Sequence, residues 1–197
     1  LRQQDVDQWR IGRIRCTQGV EVNRIGAVDL REGTAVLGPM QGPGRVYAET
    51  SVSKPVLTSP KGVVLSQGLF PRYSDIDTFH MAASALDAAV RNAVAAGVDF
   101  EQLALLDNFC WCSSDEPERL GQLKRSAEAI YDLAVLYGAP FISGKDSMFN
   151  DFKGFDKDGE PVKISAPPTL LVSSIGVINN VDQSISLAPK AVGDVIY

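Results

Sequence analysis

Between Gly62 and Ile178 the apolar residues switch between a spacing of about two and one of about 3.6, and this switching restricts the fold more than any other feature. Gly62–Gly68 (GVVLSQG) is a β-branched run bounded by glycines and predicts a strand. From Asp77 the spacing turns helical, with Phe79, Ala82, Ala83, Leu86, Ala89, Val90, Ala93 and Val94 on one face and Gly97 as the stop. Leu103–Leu106 predicts another strand. A second helix follows the Ser113–Glu116 cap region, carries Pro117 in its first turn and ends at Gly138. Its apolar register is Leu120, Leu123, Ala127, Ile130 and Ala134. Pro140–Ser143 predicts a third short strand, Asp151–Lys163 a charged surface hairpin or loop, and Thr169–Ile178 (TLLVSSIGVI) the longest strand. Strands interleaved with helices bury their apolar faces by layering a sheet against the helices.

Residues 1–50 carry a weaker pattern. Ile11, Ile14, Val20, Val22, Ile25 and Val28 alternate with polar residues, and Gly38–Gly44 holds three glycines and two prolines, which predicts short strands and turns. Beginning at Leu1 and stopping at Tyr197 inside an apolar run, the sequence reads as a fragment of a longer chain.

Composition narrows the function classes. A chain that is 45% hydrophobic and 22% charged can bury a core, which excludes a disordered tail, a fibre and a disulfide-scaffolded miniprotein. No apolar run approaches the roughly 18 residues of a membrane span, and no basic-then-apolar leader opens the chain. The net charge of −5 repels phosphate backbones and anionic lipid, so neither nucleic acid nor membrane is an expected partner. Cys16, Cys110 and Cys112 leave an odd thiol, which fits reduced cysteines in a cytoplasmic protein.

In layered α/β folds, ligands collect where strands end in polar clusters. Three such ends follow the predicted strands: Pro71–Asp77, Asp107–Trp111 and Gly144–Ser147. Gly144-Lys145-Asp146-Ser147 puts a bare backbone, a cation, a carboxylate and a hydroxyl into one expected turn. Such a set can hold a phosphate and its magnesium, although an ordinary surface turn has the same composition. It is not a Walker loop, because Gly138 lies six residues before Gly144 rather than five and no Ser or Thr follows Lys145 directly. Asp107 and Asn108 could bind a ligand or cap the next turn, while Phe109 and Trp111 read as core or interface residues. Cys110 and Cys112 are wrongly spaced for a redox pair or a zinc knuckle. A calcium loop centred on Asp156, Asp158 and Gly159 fails, since Gly154 and Ser165 fall where Asp and Glu belong. The single histidine, His80, reads as a surface partner of Asp77 one helical turn away.

Five ordered stretches carry a more specific signal. They are Gly68–Asp77 (GLFPRYSDID), Ala89–Asn92, Leu105–Trp111 (LLDNFCW), Tyr137–Met148 (YGAPFISGKDSM) and Pro167–Ile178 (PPTLLVSSIGVI). In this order and spacing, residues 51–197 resemble the phosphoribosylformylglycinamidine synthase family, in particular the second of its two aminoimidazole-ribonucleotide-synthetase-like units. The resemblance implies an α+β fold, a mixed sheet covered by helices on one face. It implies a leading segment over 1–50, the synthetase-like N-terminal domain over 51–185, and the start of a following domain over 186–197. The implied activity is an ATP-dependent amidation of formylglycinamide ribonucleotide in purine biosynthesis, a C–N ligase reaction with ATP and Mg2+ as cofactors. The implied partners are a glutaminase domain or subunit that supplies ammonia, and either the first synthetase-like unit or a second copy of this chain.

Position by position, the resemblance makes Asp107 and Gly144 nucleotide contacts and Ser147 a substrate contact. Asp146, Asn92 and Glu49 would be metal ligands. Two positions depart from the family pattern: Lys145 stands where the small form of the enzyme has a metal-binding Asn, and Ala88 stands where the companion of Asn92 is normally Glu. An ammonium cannot ligate a cation. A catalytic residue is not identified by the pattern. Two functional classes therefore remain: a fragment of the synthase that is inactive alone but supplies part of a nucleotide and substrate site, and a non-catalytic unit that supports a partner or holds an auxiliary nucleotide.

Overall fold

In the computed structural model, residues 14–15, 21–22, 35–42, 44–193 and 195 are described. Cys16 and the apolar positions Ile11, Val20, Ile25 and Val28 lie outside them. The strands are β1 (Ile14–Arg15), β2 (Glu21–Val22), β3 (Ala35–Leu37), β4 (Met40–Gln41), β5 (Val46–Tyr47), β6 (Thr50–Ser53), β7 (Gly62–Leu69), β8 (Leu103–Cys110), β9 (Phe141–Ser147), β10 (Asp151–Phe155), β11 (Pro161–Ser165) and β12 (Thr169–Ile178). Two α-helices, α1 (Thr78–Ala95) and α2 (Pro117–Tyr137), separate β7 from β8 and β8 from β9. The main sheet is mixed, in the order β3-β6-β7-β12-β8-β9, with β6 and β7 antiparallel and β8 and β9 parallel. A helical crossover is what a parallel neighbour requires, and α2 supplies it between β8 and β9.

The chain divides into two compact units. One comprises residues 1–66, 92–100 and 175–197. Its strands β3 and β6 pair antiparallel, and Gln41 stitches the neighbouring loops by donating to the carbonyls of Gly38 and Thr50 at 3.1 and 3.0 Å while accepting from the amide of Leu187 at 2.8 Å. A buried glutamine with every polar atom engaged costs little and fixes its loops.

The other unit comprises residues 67–91 and 101–174 and carries most of α1, all of α2, and β8 and β9. Helix α1 starts as its sequence predicts: Asp77 caps it, its Oδ1 accepting from the amide of His80 at 3.0 Å. The carboxylate then pairs with Arg125 at 2.6 Å, so Asp77 meets His80 through the backbone and not through the imidazole expected from sequence. Helix α2 begins at Pro117 and closes on Gly138 with φ +61°, the left-handed cap that glycine adopts without strain. Its buried line is Ser126, Ala129 and Ile130; of the predicted register only Ile130 is buried, while Leu120 is 52% exposed and Ala127 is exposed. The reason is polar. Thr78 donates to the carbonyl of Gln122 at 3.0 Å and Ser126 donates to the carbonyl of Thr78 at 3.1 Å, so small hydroxyl residues take part in the contact between the helices. Val94, expected on the buried face of α1, is 41% exposed.

The predicted excursion over 151–163 is the hairpin β10–β11, paired from Asp151↔Ser165 to Phe155↔Pro161. Asp156 Oδ1 accepts from the amides of Asp158 and Glu160, both at 2.9 Å, and Gly159 has φ +82°, so these residues close a turn. Asp151 anchors the hairpin, accepting from the amide of Ser113 at 3.2 Å and pairing with Lys163 at 3.4 Å. Burial raises its pKa, but Lys163 and Ser113 outweigh that and hold the carboxyl below its ordinary value.

Candidate functional site

Strand β8 runs Leu103–Cys110 and β9 runs Phe141–Ser147, each several residues longer than the sequence predicts. Asp107–Cys110 and Gly144–Ser147 are therefore strand residues and not the turns expected of them. The two polar tails pair with each other in register: Asp107↔Gly144, Asn108↔Lys145, Phe109↔Asp146 and Cys110↔Ser147. Backbone pairing across the sheet extends both strands beyond their apolar cores.

The pleat then divides the expected cluster. Successive residues of a strand point to opposite faces, and paired residues of parallel strands share one. Asp107, Gly144 and Asp146 thus belong to one face; Asn108, Lys145, Cys110 and Ser147 belong to the other. Gly144 through Ser147 cannot act as one phosphate loop.

On the first face, Asp107 and Gly144 fit each other closely. A Cβ at position 144 would stand 2.1 Å from Asp107 Oδ1. That oxygen is buried and has no hydrogen-bond partner. Burial, and secondarily the charge of Asp146, push the Asp107 carboxyl above its ordinary pKa, while amides including that of Lys145 act in the opposite sense. The result is a buried carboxylate oxygen with an unfilled bonding capacity, seated over Gly144 and near an exposed carboxylate, Asp146. A nucleotide hydroxyl, an amine or a cation would each satisfy it.

On the second face, Ser147 is held by Asn150. Its hydroxyl donates to Asn150 Oδ1 at 3.2 Å, and Asn150 Nδ2 lies 2.7 Å from the Ser147 carbonyl and 3.2 Å from the Trp111 carbonyl. The sequence reading missed Asn150, which follows Phe149, an aromatic residue with φ +59°. No pattern in the sequence marks that turn. Beside it Phe109 and Trp111 are buried as expected, the Trp111 indole donating to the carbonyl of Arg119 at 3.0 Å.

Glu49 and Asn92 lie in the first-described unit, where both line a cavity of about 410 Å3 with Tyr47, Thr50 and Ser186. Thr50 Oγ1 donates to the carbonyl of Asn92 at 3.3 Å. Ala88 contributes no donor atom. Among the described residues no group of three or more His, Cys, Asp and Glu side chains is placed to hold a metal, and no helix is long and apolar enough to cross a membrane.

No family model matches the chain. The phosphoribosylformylglycinamidine synthase subunit PurL of Rhodopseudomonas palustris (strain TIE-1) is 31% identical over 137 residues, covering 70% of this chain and 17% of that subunit. The chain carries a segment homologous to PurL. PurL of Thermoplasma volcanium is 25% identical over 154 residues, covering 77% of this chain and 19% of that protein. Among solved structures, T. maritima PurL complexed with ATP matches with a TM-score of 0.55 at 22% identity, over 72% of this chain and 21% of that one. The same protein complexed with FGAR gives 0.55 at 20% identity, over 89% and 26%. Such identities speak for the fold: it is α+β, of the aminoimidazole-ribonucleotide-synthetase-like kind present in PurL. The chain spans about a fifth of the length of the PurL relatives it matches.

Proposed function

We propose that this chain supplies one part of an ATP and formylglycinamide ribonucleotide site in a phosphoribosylformylglycinamidine synthase, within a synthetase-like domain over about 51–185. The observation that carries the reading is the Asp107–Gly144 pair: a partnerless, buried carboxylate oxygen seated over a glycine, in a chain homologous to PurL. Asp107 and Gly144 contact the nucleotide, the glycine because any side chain there would displace the carboxylate. Ser147, on the opposite face, contacts the ribonucleotide substrate.

Asp107 and Asp146 fit a magnesium shared with nucleotide phosphates, since magnesium takes one or two carboxylates and completes its shell with phosphate and water. Bound there, the ion would neutralise phosphate charge during transfer. Glu49 and Asn92 offer one carboxylate and one amide oxygen, the donor types of an auxiliary cation site. The reaction, amidation at the expense of ATP with ammonia from a glutaminase domain or subunit in the cytoplasm, belongs to the assembled enzyme, and this chain alone is inactive. A first synthetase-like unit or a second copy completes the site.

Lys145 and Ala88 favour a second reading, a unit that holds an auxiliary nucleotide or supports a partner without catalysis. Thermal melting separates a chain that holds a nucleotide from one that only supports a partner. ADP or ATP with magnesium should raise the melting temperature of the chain, because a ligand at one hundred times its Kd adds about 2.7 kcal/mol. No shift with either nucleotide at millimolar concentration rejects the nucleotide site and leaves the supporting role.

A further inference from the structure

The turn that joins β9 to β10 is built around one side-chain amide. Asn150 Nδ2 has the carbonyls of Ser147 and Trp111 at 2.7 and 3.2 Å, the Ser147 hydroxyl at 3.1 Å and Cys110 Sγ at 3.5 Å. Its own backbone amide donates to the Trp111 carbonyl at 2.9 Å. With two carbonyl oxygens beside Nδ2, the amide has a single orientation, because turning it over would set Oδ1 against both of them. Oδ1 is thereby left to the Ser147 hydroxyl, which donates to it at 3.2 Å. Phe149, which precedes Asn150, has φ +59°, a conformation costing an L-residue about 1 kcal/mol or more.

We propose that Asn150 is a positioning residue that takes up the Ser147 hydroxyl proton, so that Ser147 presents a hydrogen-bond acceptor to its ligand. The ligand class follows from the polarity. With its proton committed to Oδ1 and one lone pair taken by Nδ2 at 3.1 Å, Ser147 Oγ keeps a second lone pair that receives from an amide N–H, an amine or a ribose hydroxyl; an ionised phosphate oxygen, which can only accept, finds no donor in this hydroxyl, although Lys145 shares the face. The inference rests on the reading of Ser147 as a contact of formylglycinamide ribonucleotide and deepens it: the serine meets a donor group of that molecule and not its phosphate.

The test is binding of formylglycinamide ribonucleotide, of ADP with magnesium and of inorganic phosphate by titration calorimetry, to the whole chain and its Ser147→Ala, Asn150→Ala and double variants. Each single variant should weaken the ribonucleotide about tenfold, the double variant no further, and ADP should be unaffected. Far-UV circular dichroism reports whether Asn150→Ala folds. If it does not, Ser147→Thr, which keeps the hydroxyl, should retain binding that Ser147→Ala loses. An Asn150→Ala chain that folds and binds the ribonucleotide as the wild type does overturns the proposal. So does phosphate competing at this site with a Ser147-dependent affinity. Wild-type chain that binds ADP but no ribonucleotide overturns this inference and leaves the nucleotide reading standing; loss of both overturns both.

Discussion

The missing side chain of Gly144 is what makes room for Asp107: a Cβ there would stand 2.1 Å from Asp107 Oδ1 and 3.0 Å from its Cγ. Gly144 is not in the positive-φ region, so its role is steric and not conformational. Gly144→Ala should cost about 1–3 kcal/mol as the carboxylate and strand shift. It should also abolish any nucleotide-dependent rise in melting temperature, whereas Gly121→Ala, with open space around its Cβ, should leave that rise intact. Chemical denaturation with and without ADP reads both effects.

The raised pKa of Asp107 carries a pH signature. In the unfolded chain the carboxyl titrates near its ordinary 3.8, and in the folded chain above it, mainly through burial and then through Asp146. Between those values the folded protein holds an extra proton, so this group's contribution to stability falls as pH rises through that window and levels off above it. Asp87 works in the opposite sense: burial raises its pKa, but Arg91 and Tyr137 outweigh this, so its contribution is lost as pH falls. Subtracting the two curves isolates Asp107. Asp107→Asn should gain on wild type progressively from about pH 4 upward in urea midpoints. A constant difference at all pH values would contradict the assignment.

Asp146 lies exposed on β9, so Asp146→Asn should change stability by no more than about half a kcal/mol. The magnesium-dependent part of nucleotide binding should vanish in this variant, and Lys145, on the opposite face of the sheet, should not replace it. Comparing melting shifts for ADP with magnesium and with EDTA decides it; equal magnesium-dependent shifts in variant and wild type refute the metal role.

Gly68 fixes β7 against α1. A Cβ there would meet the backbone carbonyl oxygen of Ala85 at 2.0 Å and the amide nitrogen of Ala89 at 3.0 Å. Neither can move without the helix, so Gly68→Ala should cost about 3 kcal/mol or prevent folding. Circular dichroism melts give the answer, and a wild-type melting temperature would refute this packing.

The alternation along β7 and β12 leaves Leu65 and Leu69 exposed at 46% and 42%, with Val177 at 39%. Apolar strand faces of this kind call for a cover. Light scattering at micromolar concentration should show self-association, and Leu65→Lys with Leu69→Lys should reduce it. A clean monomer would leave the cover to another polypeptide.

The sequence by itself determined where elements begin and end wherever the cause is local. Asp77 caps α1 through an amide three residues away, Gly138 closes α2 because its own φ is positive, and the β-branched run from Gly62 becomes β7. Asp107, Gly144, Asp146 and Ser147 could likewise be singled out in advance as polar residues closing apolar strands. What they do together could not. The pairing Asp107↔Gly144 joins residues on either side of α2, and that long-range ladder turns two expected turns into strands. Once they are strands, the pleat puts Asp146 and Ser147 on opposite faces, which no count along the chain reveals. The buried side of α2 was decided in the same way, by the hydroxyls of Thr78 and Ser126 bonding helix carbonyls. A hydrophobic period counts apolar side chains, and here polar ones share the contact with Ala129 and Ile130; only the tertiary structure brings the partners that satisfy them.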